Sequence, residues 1–155
     1  MNQNQILLTE PNFSKLKDKI KKAKEEGKTI IYSSEDDELN RKVIEKLPIS
    51  ILLINQTGRK DFQKQRNSGF NQVIAKAMKK KNIELGINFD EIIESNSLKE
   101  KSEIIARIKQ NIKLCNKNKV NMKFIIQKEK NQRNIYDLKS LGLVLGMPTS
   151  MVKDL

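Results

Sequence analysis

The chain has 155 residues, 37% of them hydrophobic, and its 31 Lys and Arg against 19 Asp and Glu leave a formal net charge of +12. This length predicts a single domain over residues 1–155, and the charge is typical of a protein that binds a polyanion. The absence of histidine removes the usual general base and the commonest zinc ligand, and the single cysteine, Cys115, excludes an internal disulfide.

In the first third of the chain, short apolar segments alternate with Lys-rich amphipathic ones. We predict strands over residues 5–9, 29–33 and 49–54, the last a nearly continuous apolar run that is typical of a parallel strand covered on both faces. An apolar stripe from Phe13 to Ala23 predicts a first helix that Gly27 ends. A second helix carries Leu39, Val43 and Ile44, and we expect Ser34 to cap its N-terminus and Pro48 to end it.

A long basic loop is predicted over residues 55–68, and a loop of this length in one domain is usually functional or mobile. A helix follows with an apolar stripe from Phe70 to Met78, and then a strand over residues 83–87. The segment 97–100 has the form of a capping box and opens the longest helix, whose stripe runs from Leu98 to Cys115. A strand over 122–127 and a helix over about 134–145 complete the pattern.

Five strands that alternate with helices predict an α/β fold with a mostly parallel sheet of about five or six strands flanked by helices. A complete eight-stranded barrel usually needs about 250 residues. We therefore expect an incomplete barrel of the TIM type, or an open sheet.

Most of the excess positive charge lies in the middle of the chain. Residues 55–82 contain eight basic residues against one acidic residue, Asp61. The charges between Arg59 and Arg66 fall in the predicted loop, where no helical face needs to be solvated. The segment 65–76 then combines a basic residue, a small-residue turn at Ser68 and Gly69, and a helix start. This combination is typical of an anion site, although Ser68 could instead cap the helix and Gly69 ease the turn.

The segment 65–76 also resembles the Arg-Asp-x-Gly signature, with its following Ala-Lys, of the component-3 (thirty-kilodalton) subunit of ribonuclease P. The segment 104–115 resembles that family's long helix with its Arg and Gln-Asn positions. The segment 133–138, with 141–146 after it, resembles the family's Arg-x-Pro-x-Asp-Leu and next helix. The similarity runs from about residue 27 to residue 147. Asn67, Gln72 and Ile135 depart from the family's usual Asp, His and Pro, and the N-terminal part is shorter.

The resemblance implies a TIM-barrel-like fold and a role in the archaeal and eukaryotic enzyme that removes 5′ leaders from precursor tRNA, in which the RNA is catalytic. It implies as partners the ribonuclease P RNA, protein component 2 and the other protein subunits, with precursor tRNA reached indirectly and a homodimer within a heterotetramer as one form. No cofactor is implied for the protein itself, and Mg²⁺ is expected for the RNA-containing holoenzyme.

The loop charges and the resemblance together nominate a set of side chains as RNA contacts, and none as catalytic or metal-binding. The RNA contacts are Arg59, Lys60, Lys64, Arg66, Ser68, Gly69, Lys76, Arg107 and Arg133. Three further positions, Asn71, Asn111 and Asp137, are expected to support the motif.

Two other functions remain open from the sequence. One is an independent metal-dependent phosphoesterase, for which the nearest carboxylates are Asp90, Glu91 and Glu94; we expect these to be solvent-exposed partners of a helix dipole. The other is a generic nucleic-acid-binding module, although aromatic residues make up only 5% of the chain and base stacking on them is not expected. No apolar run approaches the roughly 18 residues that span a bilayer, so we expect a cytoplasmic protein that does not bind membranes.

Overall fold

The computed structural model describes residues 4–155, which form five strands and seven helices with one 3-10 turn. The strands are β1 (Gln5–Leu8), β2 (Thr29–Tyr32), β3 (Ile51–Leu53), β4 (Glu84–Asn88) and β5 (Met122–Ile125). The helices are α1 (Phe13–Glu25), α2 (Asp37–Lys46), α3 (Gln72–Lys81), α4 (Phe89–Glu94), α5 (Leu98–Asn118), α6 (Ile135–Leu145) and α7 (Thr149–Lys153), and the 3-10 turn is Glu129–Asn131.

The five strands form one sheet in the order β1-β2-β3-β4-β5, and every neighbouring pair is parallel. Right-handed crossovers between successive neighbouring strands keep the connecting helices on one face of the sheet. That outer face is covered by helices, and the inner face is lined by strand side chains. The prediction of an α/β fold with an incomplete, mostly parallel barrel is confirmed.

Side chains alternate between these two faces along each strand. On β3, Leu52 joins the large cluster that the strands share with the helices, whereas Ile51 and Leu53 join a second cluster on the inner face with Ile31 and Ile125. These four inner side chains are at most 3% exposed. The sheet is therefore curled tightly enough to bury its inner face.

Gly86, in the middle of β4, lies where inner side chains of β3 and β5 approach each other. A Cβ at this position would lie 3.0 Å from Leu53 Cδ1 and 3.1 Å from Ile125 Cγ1. The missing side chain lets β3 and β5 bring their inner side chains together across β4.

The residues that cap the helix N-termini differ in two cases from those that the sequence pattern suggested. Asp36, not Ser34, caps α2, because its side chain accepts hydrogen bonds from the backbone N–H of Glu38 and Leu39. Asn71, not Ser68, caps α3 and accepts from Val73 and Ile74. The other predicted cap is confirmed.

At the start of α5, the Ser97 side chain accepts from the backbone N–H of Glu100, 3.1 Å away. The Glu100 carboxylate accepts in turn from the backbone N–H of Asn96 at 2.7 Å. The short helices α4 and α7 were not predicted. None of the helices in the described part of the chain is both long enough and apolar enough to cross a membrane.

Candidate nucleic-acid interface

The long segment between β3 and α3, residues 55–70, leaves the sheet at its carboxyl edge, where the C-terminal ends of the strands lie; we call it the basic loop. It has no regular secondary structure, so its backbone groups need other partners. The first of these is Glu91 of α4. Its carboxylate accepts hydrogen bonds from the backbone N–H of Gln56 at 2.9 Å and of Thr57 at 3.0 Å.

Arg59 provides a second attachment, and it points inward. Its guanidinium makes a two-pronged ion pair with Asp37 of α2, at 3.0 and 2.8 Å, and its Nε donates to the backbone carbonyl of Asn55 at 2.7 Å. Gly69 passes directly over this pair. A Cβ on Gly69 would lie 2.6 Å from both Arg59 Nη2 and Asp37 Oδ1, and the residue has a φ of +68°. Both the close approach and the left-handed backbone therefore require glycine here.

Arg107, on α5, is the third and most buried attachment, with a side chain only 3% exposed. Its Nε donates to Asp61 at 2.8 Å, Nη1 to the carbonyl of Gln56 at 3.1 Å, and Nη2 to the carbonyl of Arg59 at 2.8 Å. A guanidinium has its donors in a fixed planar arrangement, so these bonds fix the loop in one position against α5.

Asp61 joins the two ends of the loop tip. Besides Arg107, its carboxylate accepts from the backbone N–H of Asn67 at 2.9 Å and from Arg66 Nη1 at 3.1 Å. The Arg107 guanidinium, and then the Asn67 backbone N–H, hold the pKa of Asp61 below its usual range despite partial desolvation. Asp61 was not nominated from the sequence. It is the only acidic residue of 55–82, and this isolation was a usable signal.

Ser68 is buried behind the tip. Its carbonyl accepts from Gln56 Nε2 at 3.1 Å, and Gln110 Nε2 of α5 reaches both the Arg66 carbonyl at 3.2 Å and Ser68 Oγ at 3.5 Å. Ser68 thus holds the loop to the protein from inside.

The nominated RNA contacts therefore fall into two groups. Lys60, Lys64, Arg66, Lys76 and Arg133 are exposed, whereas Arg59, Ser68, Gly69 and Arg107 lie partly or wholly inside the protein. Arg107 in particular has its guanidinium turned to protein acceptors, so its position is that of a residue that supports the loop. The sequence could have indicated that Arg107 is buried, because it lies three residues after Ile104 and four before Asn111, on the buried face of α5.

The remaining nominated positions lie in three different places. Asn71 caps α3, Asn111 is buried in α5, and Asp137 is exposed in the first turn of α6. Arg133 stands just before α6 with its guanidinium 6.0 Å from the ring centroid of Phe89. Phe89 follows β4 directly, so Arg133 also belongs to the carboxyl edge of the sheet.

The sequence suggested that the acidic residues after β4 are solvent-exposed partners of a helix dipole. In the structure they bind other parts of the protein instead. Asp90 is buried and accepts from the backbone N–H of Gln127 at 2.8 Å and from Asn131 Nδ2 at 2.7 Å. Glu94 pairs with Lys128 and, at 2.8 Å, with Lys130, and these ammonium groups lower its pKa to about 2. Both carboxylates fasten the segment that follows β5.

Uncharged polar side chains lie on the inner face of the sheet at its carboxyl edge. Asn88 of β4 donates from Nδ2 to Asn55 Oδ1, 3.0 Å away, across the top of the inner cluster. Among residues 4–155, no group of three or more Cys, Asp or Glu side chains is placed to hold a metal ion.

Comparison with known proteins relates this chain to solved structures. No protein-family model matches the chain, and no curated protein matches it. Among solved structures, it is similar to one chain of the cryo-EM structure of archaeal ribonuclease P with mature tRNA, with a TM-score of 0.78 and 23% sequence identity. The match covers 95% of this chain and 62% of that chain, so this chain spans under two thirds of the other's length. The protein thus shares the fold of one chain of that archaeal complex.

Proposed function

We propose that the protein is an RNA-binding subunit of ribonuclease P, of the component-3 type, which supports the catalytic RNA in removing 5′ leaders from precursor tRNA. The observation that carries this proposal is the division of the basic loop into inward and outward charges. Its inward groups, Arg59 and Asp61, are neutralised within the protein, whereas Lys60 and Lys64 project from a loop held in one position. Arg66 also projects, because its side chain stays 45% exposed while one of its N–H groups bonds Asp61. Cations on a fixed support lose less conformational freedom when they bind phosphates.

The fold likeness and the three sequence segments support the same proposal from independent directions. The segments 65–76, 104–115 and 133–138 are distant in sequence, but the first two are joined by hydrogen bonds from Gln110 to Arg66 and Ser68. The third places Arg133 at the same edge of the sheet. A surface built from these segments faces RNA with phosphate-binding side chains and recognises shape more than sequence.

Salt dependence and a matched pair of variants test the RNA interaction. Neutralisation of Z phosphates gives a log-log salt slope of about −0.7Z to −0.9Z, so a surface with five contacts gives a steep line. Arg66→Ala is expected to weaken binding of the catalytic RNA by about 1.5–3 kcal/mol. The control is Lys80→Ala, which removes an exposed cation on α3 outside the loop and is expected to do far less.

Equal effects of the two substitutions in folded protein would show that the loop has no special role. A slope near zero for the cognate RNA would contradict phosphate binding altogether. Reconstitution completes the test: the protein with Mg²⁺ alone is expected to leave precursor tRNA intact, and the protein with the catalytic RNA is expected to support cleavage.

The open sheet supports a protein partner as part of this proposal. The sheet ends at β1 on one side and β5 on the other, and β1 carries Ile6, Leu7 and Leu8 in succession. An apolar strand at the border of a sheet favours pairing with another chain. We nominate component 2 or a second copy of this chain, and ultracentrifugation of the protein alone and of the pair distinguishes the two. A strict monomer that ignores component 2 at micromolar concentration would contradict this part.

A further inference from the structure

A groove with a volume of about 440 Å³ lies between the first turn of α2, the basic loop, the start of α3 and the middle of α5. Its floor is apolar and formed by Phe70 and Ile74, which are 5% and 6% exposed. Its walls carry side chains with unused polar groups and one exposed ring. The side chains that matter here are Arg41, Phe62, Gln65, Asn67, Gln72 and Gln110.

Phe62 is the feature of the groove that core packing does not account for. Its side chain is 58% exposed, although it belongs to a loop tip that is closed on itself by a backbone hydrogen bond from Phe62 N–H to the Gln65 carbonyl at 2.9 Å. The hydrogen bonds that Asp61 accepts from the Asn67 backbone N–H and from Arg107 Nε hold this tip in place. The ring is therefore presented to the groove by a fixed backbone, as a flat surface on which a planar group can stack.

The walls of the groove offer amides. In the part of the chain that the structure describes, residues 4–155, the side-chain amides of Gln65, Asn67 and Gln72 make no hydrogen bond to other protein atoms, and Gln110 uses only its Nε2. An amide presents a donor and an acceptor side by side, which is the arrangement that complements the edge of a nucleobase. An uncharged wall of this kind recognises a base better than it recognises a phosphate.

The charges around the groove favour a strand of nucleic acid over other ligands with a planar group. Arg41, whose Nε pairs with Glu45, is 60% exposed at one side, and Lys64 and Arg66 lie on the loop that forms the other. Asp37 lies within the groove but is paired with Arg59, so the carboxylate that remains unpaired on this wall is Glu38. Cations at the rim and uncharged amides inside match a ligand whose backbone is anionic and whose inserted group is not.

We infer that this groove accepts one unpaired base of a single-stranded RNA segment, stacked on Phe62 and hydrogen-bonded at its edge by the amides. The inference rests on the proposed RNA binding and adds a base-binding element to it. Bases of a regular duplex are stacked and their edges are paired, so only a loop, bulge or end can supply this base. This inferred base site departs from the expectation that the few aromatic residues of the chain take no part in stacking.

The experiment uses Phe62→Trp in the full chain, because the sequence has no tryptophan and the introduced side chain is then the only indole reporter. The probes are a single-stranded RNA of about 8 nucleotides, within the usual site size of ~4–16, and a ribose-phosphate strand of equal length without bases. A duplex of the same sequence is the third probe. We expect the single strand alone to quench the fluorescence of the introduced indole.

Affinity measurements on Phe62→Leu complete the test. We expect this variant to bind the single strand about 5- to 150-fold more weakly, the range of one stacked base, with an unchanged salt slope. Phe62→Tyr keeps the stacking surface and is expected to retain affinity. All variants are compared by their denaturation midpoints, because an exposed ring contributes little to folding.

The outcomes separate the base site from the phosphate-binding loop. If the strand with bases and the strand without bases bind equally, and Phe62→Leu changes nothing, the base site is wrong while phosphate binding by the loop stands. If neither strand binds, and the folded catalytic RNA also fails to bind, the proposed function falls together with the base site.

Discussion

The segments that follow β3 and β4 lie at the same edge of the sheet, and each contains acidic side chains that fasten a neighbouring stretch of chain. In the segment after β4, Asp90, Glu91 and Glu94 are all engaged with backbone N–H groups, an amide or lysines. In the basic loop, one carboxylate, Asp61, is engaged by Arg107 while Lys60 and Lys64 remain outward. Similar polar residues thus pair internally in the segment after β4 and form a charged surface on the basic loop. Charge in a sequence indicates function only after the internal pairs are subtracted.

The largest effect that tests this comparison is expected from Arg107→Ala. The substitution leaves the Gln56 and Arg59 carbonyls without their donor and Asp61 without its main partner. A buried acceptor left without its donor costs about 1–3 kcal/mol, and two carbonyls are affected, so we expect a loss of about 2–5 kcal/mol in the free energy of unfolding. Asp61 adds little to this loss because it is partly exposed and stays paired with Arg66. Chemical denaturation measures it. The control is Lys109→Ala, an exposed position on the same helix, with an expected change within about 0.5 kcal/mol.

Asp90→Asn is the corresponding substitution in the segment after β4. It weakens the acceptor of the Gln127 backbone N–H and of Asn131, so we expect a lower free energy of unfolding by about 1.5–3 kcal/mol. RNA affinity, measured where the variant is folded, is expected to be unchanged. A loss of RNA affinity in Asp90→Asn equal to that in Arg66→Ala would remove the distinction between the two segments.

The next effect is a difference between two variants, Gly69→Ala and Gly58→Ala. Both glycines have positive φ, +68° and +73°, so both substitutions carry about 1–2 kcal/mol of backbone strain. Only at Gly69 does the new Cβ meet other atoms, those of the Arg59–Asp37 pair. We expect an additional loss of about 1–3 kcal/mol at Gly69 alone, seen as a lower thermal midpoint. Equal midpoints for the two variants would mean that the ion pair can move aside without cost.

The smallest effect concerns pH. The pKa values of Asp61 and Glu94 are held down by Arg107 and by Lys128 and Lys130, so their stabilisation is fully present above the unfolded-state values of about 4. It is lost as the pH falls through the lower folded-state values. The chain has no histidine, and burial raises the pKa of the Cys115 thiol. Unfolding free energy and RNA affinity should therefore stay level, within about 0.5 kcal/mol, from about pH 5.5 to 8.5. A transition near pH 6.5 in either measurement would contradict this.

The sequence predicted the order of the strands and most helices because apolar periodicity and local caps are short-range signals. Ser97 illustrates this success, since its partner Glu100 is three residues away. The caps of α2 and α3 were misassigned where several polar residues follow one another and each could accept the same N–H groups. Helix α4 has only six residues, too few for a helical period to be recognised.

The sequence singled out the basic loop, but it did not show which of the loop's charged side chains pair within the protein and which face solvent. Arg59 and Arg66 look alike in the sequence, yet the first is turned inward by Asp37, which lies 22 residues earlier, and the second is 45% exposed. Such pairings depend on the tertiary structure that brings α2 and the loop together. Local patterns do not contain that information, and the resemblance to a family indicated the region without distinguishing its supports from its contacts.

The attachment of the basic loop to α5 also sets an order of events in folding. Arg107 lies 46 residues after Asp61 and 51 after Gln56, so the loop cannot adopt its bound position until α5 has been made and has docked. Contacts of such long sequence separation require closure of a large loop of chain and tend to form late. On a growing chain, the basic segment leaves the ribosome well before the arginine that orders it. The surface for which we propose RNA binding is thus among the last parts of the protein to form, and an incomplete chain has its charges without its folded shape.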